Sequence, residues 1–231
     1  GLSGWRYEHF RVVLQTDGGA EDLRGLAQLL VDGRLPRDVL GWLGSATLTP
    51  FSKPDGGIRP LAVGEALRRL TGRALCIQLR ERFRQDLAPH QYAVAMGAGC
   101  ETIHKCVLAL AEMDASMVVS ALDVTNAFNS ILRVRCLEAV RRLRPELAPF
   151  VELWYNRASA YVYRDADGAL HGIPANEGVE QGDPLAPVLF AYGMRDALAA
   201  AQAACDEVTN RVAEQARGGC EAAHGAHGAG E

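Results

Sequence analysis

The chain has 231 residues, 48% of them hydrophobic, which is enough to bury the core of one domain and excludes a disordered or fibrous composition. Its apolar runs are too short to span a bilayer, so we expect no membrane segment. The formal net charge is −4, but residues 1–100 carry 13 Lys and Arg against 10 Asp and Glu, so the acidic excess lies in the second half. Since no signal-peptide pattern occurs and the cysteines are scattered, we expect an intracellular protein with reduced, mostly buried thiols, in either nucleus or cytoplasm.

The first half of the chain reads as helices followed by a hairpin. Helical periodicity predicts two or three helices over residues 4–44, and β-prone runs then flank Asp55-Gly56-Gly57, a hairpin turn signal. A long helix from about Glu65 to Leu87 and a second over TIHKCVLALAEM follow. SMVVSALD, which is apolar and β-branched, predicts a buried strand that ends in Asp123.

The second half predicts two amphipathic helices, a further hairpin and a final helix. In RDADG the Asp167-Gly168 pair is a turn signal, so we interpret it as an ordinary hairpin. The final helix is expected to run from Pro184 to about Ala204, with disordered residues 205–231 after it because that tail is rich in glycine and alanine. The three tryptophans fall on apolar helix faces and are expected in the core; they are Trp5, Trp42 and Trp154.

The stretch EGVEQGDPLAPVLF places glycines on both sides of Gln181, before a helix that Asp183 can cap and Pro184 can begin. The cap explains the second half of the stretch but not its glycines. Because glycine has no Cβ, a ligand could approach the backbone closely at Gly182, and Gln181 could meet it with both a donor and an acceptor. This stretch is therefore a candidate binding loop.

Two other stretches carry candidate site residues. In LDVTNAFNSI, Asp123 at a strand end suits a hard cation, although for this residue alone a capping role for the helix that begins near Asn126 is the simpler interpretation. In KPDGGIRP, Lys53 and Arg59 on opposite arms of a hairpin could converge on one anion, or could be ordinary surface cations. The basic stretch Lys53–Arg84 could face phosphates or form the solvated face of an amphipathic helix.

Taken in order, these motifs resemble the reverse transcriptases of non-LTR retrotransposons and related group II intron elements, over roughly residues 1–204. GLSGWRYEHF resembles the start of the family's N-terminal helical region, and KPDGGIRPLAVGEALRRL its fingers hairpin and following helix. LDVTNAFNSI resembles the first palm carboxylate motif, and EGVEQGDPLAPVLF the loop that contacts template and nucleotide. The resemblance implies an α+β, right-hand polymerase fold with fingers and a partial palm.

The resemblance also implies a catalytic role for Asp123, as a Mg²⁺-binding carboxylate with the carbonyl of Val124 as a further ligand. The implied reaction is attack of a primer 3′-hydroxyl on the α-phosphate of a deoxynucleoside triphosphate, templated by RNA, with two cations about 3.5–4 Å apart. The implied partners are an RNA template, a DNA primer and deoxynucleoside triphosphates.

Five residues would contact the incoming nucleotide or the template by the same resemblance. Lys53 and Arg59 would hold the triphosphate, and Phe128 would block a ribose 2′-hydroxyl. Gln181 and Gly182 would line the nucleotide and template side.

The sequence departs from the family because it contains no Asp-Asp pair, which the family carries after an aromatic residue on a second palm hairpin. We therefore expect a polymerase without that hairpin and without the thumb, which is catalytically incompetent as this chain. The expected divisions are a helical extension over 1–50, a fingers-like region over 51–112, a partial palm over 113–204 and the tail over 205–231. The alternatives are a nucleic-acid-binding module that uses Arg68 and Arg69, or one part of a split polymerase, with the oligomeric state undetermined.

Overall fold

A computed structural model describes residues 1–225 and divides the chain into two units, residues 1–193 and a second unit that begins at Met194. The first unit begins with three helices: α1 (Tyr7–Val13), α2 (Gly19–Val31) and α3 (Arg37–Leu43). They match the helices predicted over residues 4–44. Gly18 has φ +77° at the start of α2, a left-handed conformation that glycine adopts without strain.

A four-stranded sheet joins the two predicted hairpins. Its strands are β1 (Ala46–Ser52), β2 (Ile58–Val63), β3 (Ser159–Arg164) and β4 (Leu170–Ala175), in the order β2-β1-β3-β4. Each hairpin is antiparallel, as predicted, and β1 and β3 pair in parallel through Ala46 with Tyr161 and Thr47 with Val162. The mixed α+β class is confirmed, whereas the division into fingers and palm at residue 112 stays a prediction.

Both hairpin turns follow the chemistry expected of Asp-Gly sequences. Gly56 has φ +81° and the N–H of Gly57 donates to Asp55 Oδ1 at 3.0 Å. In the second turn, Gly168 has φ +87°, and Asp165 Oδ1 accepts from the N–H of Ala169 at 2.8 Å. The interpretation of RDADG as an ordinary hairpin turn is therefore confirmed.

The predicted long helix over residues 65–87 is two helices, α4 (Ala66–Gln78) and α5 (Arg80–Leu87), which meet at Leu79 with φ −98° and ψ 6°. Helix α6 (Gly99–Met113) agrees with its prediction. The amphipathic pair is α8 (Arg133–Leu143) and α9 (Ala148–Tyr155), joined by a 3₁₀ turn over Pro145–Leu147. Between α6 and α8 lies only the short α7 (Ala127–Ser130).

The core of the first unit is formed by α2, α5, α8, α9 and the first turns of the last helix. Its largest buried side chains include Trp154, Tyr192, Phe83, Phe150 and Leu30. Trp154 is thus in the core as predicted. The same prediction was wrong for Trp5 and Trp42, whose exposed fractions are 48% and 49%. Trp5 precedes α1 and is not on a helix, and Trp42 lies on α3, a short helix at the surface.

The strand predicted to end at Asp123 is absent from the described residues. Residues 114–126 form turns and irregular chain, and Leu122 is 94% exposed while Val118 is 85% exposed. Strand propensity needs a neighbouring strand to satisfy the backbone and cover the side chains, and this segment has none. The prediction of a buried strand here was therefore wrong.

The last helix, α10, runs over Ala186–Gly225. The predicted end near Ala204 and the predicted disorder of 205–225 were therefore wrong, since the alanine-rich sequence favours helix strongly and contains no proline after Pro187. The remaining residues of the predicted tail, 226–231, lie outside the described part of the chain. The expectation of mostly buried thiols was also wrong, because Cys100, Cys106 and Cys205 are exposed.

Candidate nucleotide and template site

The glycines on both sides of Gln181 lie against the backbone of the same chain. A Cβ on Gly182 would lie 2.1 Å from the carbonyl oxygen of Ala62 in β2, and one on Gly178 would lie 2.5 Å from the carbonyl oxygen of Asn129. Neither contact leaves room for a side chain. The interpretation that these glycines are bare for a ligand is therefore corrected: the protein's own packing requires them.

Backbone hydrogen bonds fix the loop to the turn around α7. The N–H of Gly178 donates to the carbonyl of Ile131 at 3.0 Å, and the N–H of Val179 donates to the carbonyl of Phe128 at 2.7 Å. The loop thus contacts β2 at one end and the Phe128 turn at the other. These contacts join the loop of Gln181 to the turn of Phe128 and to strand β2 of the hairpin. The contact on β2 is at Ala62, three residues after Arg59 and at the end of the strand away from Lys53.

A buried ionic cluster lies behind this loop. The guanidinium of Arg68, which is 3% exposed, donates from Nη2 to Asp183 Oδ2 at 2.7 Å, and its Nη1 lies 3.0 Å from Glu180 Oε2. The second contact is a charge contact rather than an aligned hydrogen bond, since Nη1 has no hydrogen-bond partner. The hydroxyl of Tyr155 donates to Asp183 Oδ2 at 2.7 Å and accepts from the N–H of Glu180 at 3.3 Å.

Asp183 Oδ1 accepts from the N–H of Leu185 at 2.9 Å, so the predicted capping hydrogen bond is present, although α10 begins at Ala186, two residues later than predicted. The carboxylate therefore has three partners: a backbone N–H, a guanidinium and a phenol. Only the first of them could be expected from the local sequence.

Burial and charge set the pKa values in this cluster. Burial raises the pKa of Glu180, and the positive charge of Arg68 offsets this only in part. Burial alone would lower the pKa of Arg68, but the carboxylates of Glu180 and Asp183 raise it. Burial, together with the charge of Asp183, raises the pKa of Tyr155 well above its ordinary value. Because the native state binds the Glu180 proton more tightly than the unfolded chain, this group contributes stability that is lost as the pH rises above its ordinary pKa of 4.5.

The predicted triphosphate-binding cations lie on the β1–β2 hairpin. Arg59 is exposed and pairs in the sheet with Phe51, while Lys53 is half-buried at the turn, where its N–H donates to the carbonyl of Gly57 at 2.7 Å. Within the described residues neither side chain has an ion-pair partner. Both charges are therefore available to an external anion.

Asp123 and Val124 lie in the exposed irregular segment, and no described hydrogen bond or ion pair joins Asp123 to the loop or the hairpin. The alternative capping role for Asp123 is not seen either, since the residue before α7 is Asn126 and it makes no side-chain cap. Phe128, five residues further on, is half-buried with its ring centroid 5.3 Å from that of Phe190. The structure thus joins Phe128 to the loop by a backbone hydrogen bond, whereas Asp123 has no described hydrogen bond or ion pair to it.

Three cations of the basic stretch, Arg68, Arg82 and Arg84, pair with carboxylates of the chain itself. Besides Arg68, Arg82 lies 3.1 Å from Glu146 and Arg84 lies 2.5 Å from Glu81. The guanidinium of Arg69 lies over the ring of Tyr7, 5.9 Å from its centroid. The interpretation of Arg68 as a template contact was wrong, because this side chain is buried between two carboxylates.

Comparison with known proteins identifies the family of this chain. The family model for reverse transcriptase (RNA-dependent DNA polymerase) matches residues 51–214, which include the hairpin, the Phe128 turn and the loop. The chain belongs to the reverse transcriptase family. It is also 28% identical over 170 residues to the retrovirus-related Pol polyprotein of the type-1 retrotransposable element R2 from Nasonia vitripennis.

That alignment covers 70% of this chain and 16% of the R2 polyprotein. The reverse transcriptase domain described here is therefore of the non-LTR type, as the motifs indicated, and it spans a small part of this relative's length. None of the helices within the described residues is both long and apolar enough to cross a bilayer.

Reverse transcriptases use divalent metal ions, and the predicted Mg²⁺ ligands in this domain are the Asp123 carboxylate and the Val124 carbonyl. Among the side chains that the structure describes, no three from His, Cys, Asp and Glu are close enough together to hold a metal ion. One carboxylate and one carbonyl do not make a two-metal site.

The sequence did not predict the buried side chains that contact residues 178–183 of the loop. Glu180 lies within EGVEQGDPLAPVLF, and Tyr155 and Arg133 lie in the two predicted amphipathic helices. The sequence indicates a site role for none of the three. The one sequence feature that could have indicated this cluster is the position of Arg68 on α4. It shares a helix face with the small residues Thr71 and Gly72, and this face is buried. An arginine on a buried helix face requires an acidic partner, but the sequence does not say which one.

Proposed function

We propose that residues 51–190 form the nucleotide- and template-contacting side of a reverse transcriptase site. Lys53 and Arg59 would bind the triphosphate of an incoming deoxynucleotide, and Gln181 would face its base pair with an RNA template beside the DNA primer. The observation that supports this most is the contact of one loop with both β2 and the Phe128 turn, through Gly182 and Gly178.

The chemistry of these side chains suits the assigned roles. The guanidinium of Arg59 offers a planar fork of donors and the ammonium of Lys53 a point charge, which together match the oxygens of a polyphosphate. Phe128 is supported by the ring of Phe190, so that it would resist displacement by a ribose 2′-hydroxyl. The half-buried amide of Gln181 has no hydrogen-bond partner among the described residues, which leaves it available to a base pair.

Bound divalent cations would supply activation of the 3′-hydroxyl and neutralisation of the leaving pyrophosphate. On this chain, Asp123 and Val124 would be the ligands, in a segment that is exposed and outside the sheet. We propose that the chain alone does not extend a primer, since two cations require several convergent carboxylates.

The binding half of this proposal is tested with a labelled RNA–DNA primer–template and a matched deoxynucleotide, at about 50 mM and about 200 mM salt. Lys53→Ala and Arg59→Ala should each weaken deoxynucleotide binding by about tenfold, because each removes a charged hydrogen-bond donor. Arg24→Ala is the matched control, since Arg24 is an exposed cation on α2, outside residues 51–190. Equal binding of matched and mismatched deoxynucleotides by the unaltered chain would contradict the proposal.

The catalytic half is tested by primer extension with Mg²⁺ and deoxynucleotides. We expect no product from the purified chain. Templated synthesis that Asp123→Ala abolishes would show that the chain is a working polymerase, and the proposed incompetence would be wrong.

A second candidate is a nucleic-acid-binding module that does not select nucleotides, which the exposed cations Arg59 and Arg73 favour. It would bind an RNA–DNA hybrid with strong salt dependence, and a matched deoxynucleotide would not increase the affinity. Arg68→Glu is not a useful probe of this surface, because Arg68 is buried and its loss would disturb the fold.

A further inference from the structure

We infer that Arg68 and Tyr155 are positioning residues that set the conformation of the Gln181-Gly182 dipeptide, and through it the affinity for a templated deoxynucleotide. This inference rests on the proposed function for the ligand, but not for the conformation of the loop. Neither residue is accessible to a ligand, so each would act only through the dipeptide.

The geometry places an anchor on each side of the dipeptide. Glu180 precedes it and Asp183 follows it, and the guanidinium of Arg68 contacts both carboxylates, at 3.0 Å and 2.7 Å. An arginine can bridge two carboxylates in this way because its donors are fixed in one plane. The two residues between the anchors are therefore held as a short arch whose ends cannot move independently.

Tyr155 makes a second bridge across the same arch. Its hydroxyl donates to Asp183 Oδ2 and accepts from the backbone N–H of Glu180, so it uses both of its hydrogen-bonding capacities on the two ends. The start of the loop is held by a third group from α8, since Arg133 Nε donates to the carbonyl of Gly178 at 2.8 Å. Three helices, α4, α8 and α9, thus contribute one polar side chain each.

Stability alone is a poor explanation for this cluster. Burying charges costs free energy that a well-packed apolar cluster would avoid, and Glu180 Oε1 is buried without a partner among the described residues. What the cluster does provide is a defined distance and direction between the ends of the arch. The contact of Gly182 with the carbonyl of Ala62 adds a third constraint, because a Cβ at this position would lie only 2.1 Å from that oxygen.

The experiment uses the full chain labelled with ¹⁵N and two conservative variants, Tyr155→Phe and Arg68→Lys. Tyr155→Phe removes one hydroxyl and leaves the ring in the core, whereas Arg68→Lys keeps the charge but replaces the planar fork of donors with a single ammonium on a shorter side chain. Tyr163→Phe is the matched control, because Tyr163 lies on β3 and its hydroxyl makes no described hydrogen bond. The readouts are the backbone resonances of Gln181 and Gly182, the side-chain amide of Gln181, and the dissociation constant of the matched deoxynucleotide in the primer–template complex.

Both variants should move the Gln181 and Gly182 resonances and weaken deoxynucleotide binding by about fivefold, while Tyr163→Phe changes neither. Relative to Arg68→Ala, Arg68→Lys should restore a larger share of the free energy of unfolding than of the affinity for the deoxynucleotide. A purely structural role would restore both in the same proportion. Unchanged resonances in both variants would overturn the inference, as would resonance changes with unaltered affinity. If the unaltered chain binds no deoxynucleotide, the proposed function fails instead, and the loop resonances still decide whether Arg68 and Tyr155 set the conformation.

Discussion

Two segments that the motifs assign to one polymerase site are held very differently by this chain. Residues 177–193 are fixed on several sides: by backbone contacts to β2 and to the Phe128 turn, by an ionic cluster, and by the buried side chains Leu185 and Leu189. Residues 113–125 carry an equally apolar sequence, but their side chains are largely exposed and no strand pairs with them in the described structure.

The difference shows what an apolar sequence pattern requires before it forms regular structure. The loop and helix around Gln181 find their partners among α4, α8, α9 and β2, all within the described chain. The segment before Asp123 has the composition of a strand, yet strand formation depends on a neighbour that satisfies the backbone. Substitutions in or against residues 177–193 should therefore cost much more stability than substitutions in residues 113–125.

Arg68→Ala should lower the free energy of unfolding by about 3–5 kcal/mol, measured by urea denaturation at neutral pH. The physical reason is that Glu180 and Asp183 would remain buried without their cation. Arg73→Ala, five residues further along α4 at an exposed position, should change the same quantity by about 0.5 kcal/mol or less. Equal effects of the two substitutions would mean that the ionic cluster does not hold the loop.

Gly182→Ala should cost about 1–3 kcal/mol, because the new methyl group would overlap the carbonyl of Ala62 and push the loop away from β2. Gly172→Ala is the control, since a Cβ at that position in β4 meets nothing within 4 Å. Thermal and urea denaturation measure both variants. If Gly182→Ala kept its stability and lost only nucleotide binding, the glycine would serve the ligand rather than the packing.

Leu122→Ser should change the free energy of unfolding by about 0.5 kcal/mol or less, because this side chain is already 94% exposed. Leu185→Ala is its buried counterpart and should cost about 2–5 kcal/mol. The pair compares the two segments directly with one denaturation assay. A large loss from Leu122→Ser would show that residues 113–125 bury this leucine in solution, for example against another copy of the chain.

Local signals were sufficient for much of the fold. Both hairpins were predicted from Asp-Gly turns flanked by β-prone residues, and the cap at Asp183 was predicted from its position before Pro184. Such features depend on residues a few positions apart, where steric preference and hydrogen bonding act within the segment itself. The family was predicted in the same way, from motifs that are continuous in sequence.

Pairings between distant segments could not be predicted. Nothing near Ala46 indicates that β1 pairs with β3, and nothing near Arg68 indicates Glu180, because these contacts are chosen by the packed chain as a whole. The errors had the same origin: Trp42 was assigned to the core on the apolar face of α3, and Val118 was assigned to a buried strand on composition. An apolar face shows that burial would be favourable, but not that a partner is present.

The junction between β1 and β3 is only two residue pairs wide, and it joins hairpins that lie on either side of helices α4 to α9. During synthesis the first hairpin therefore emerges from the ribosome well before β3, its neighbour in the sheet. Until β3 follows, the edge of β1 that it covers is exposed to other chains. Pro50 lies in β1 and lacks a backbone N–H, which makes this strand a poorer template for intermolecular strand pairing while synthesis continues.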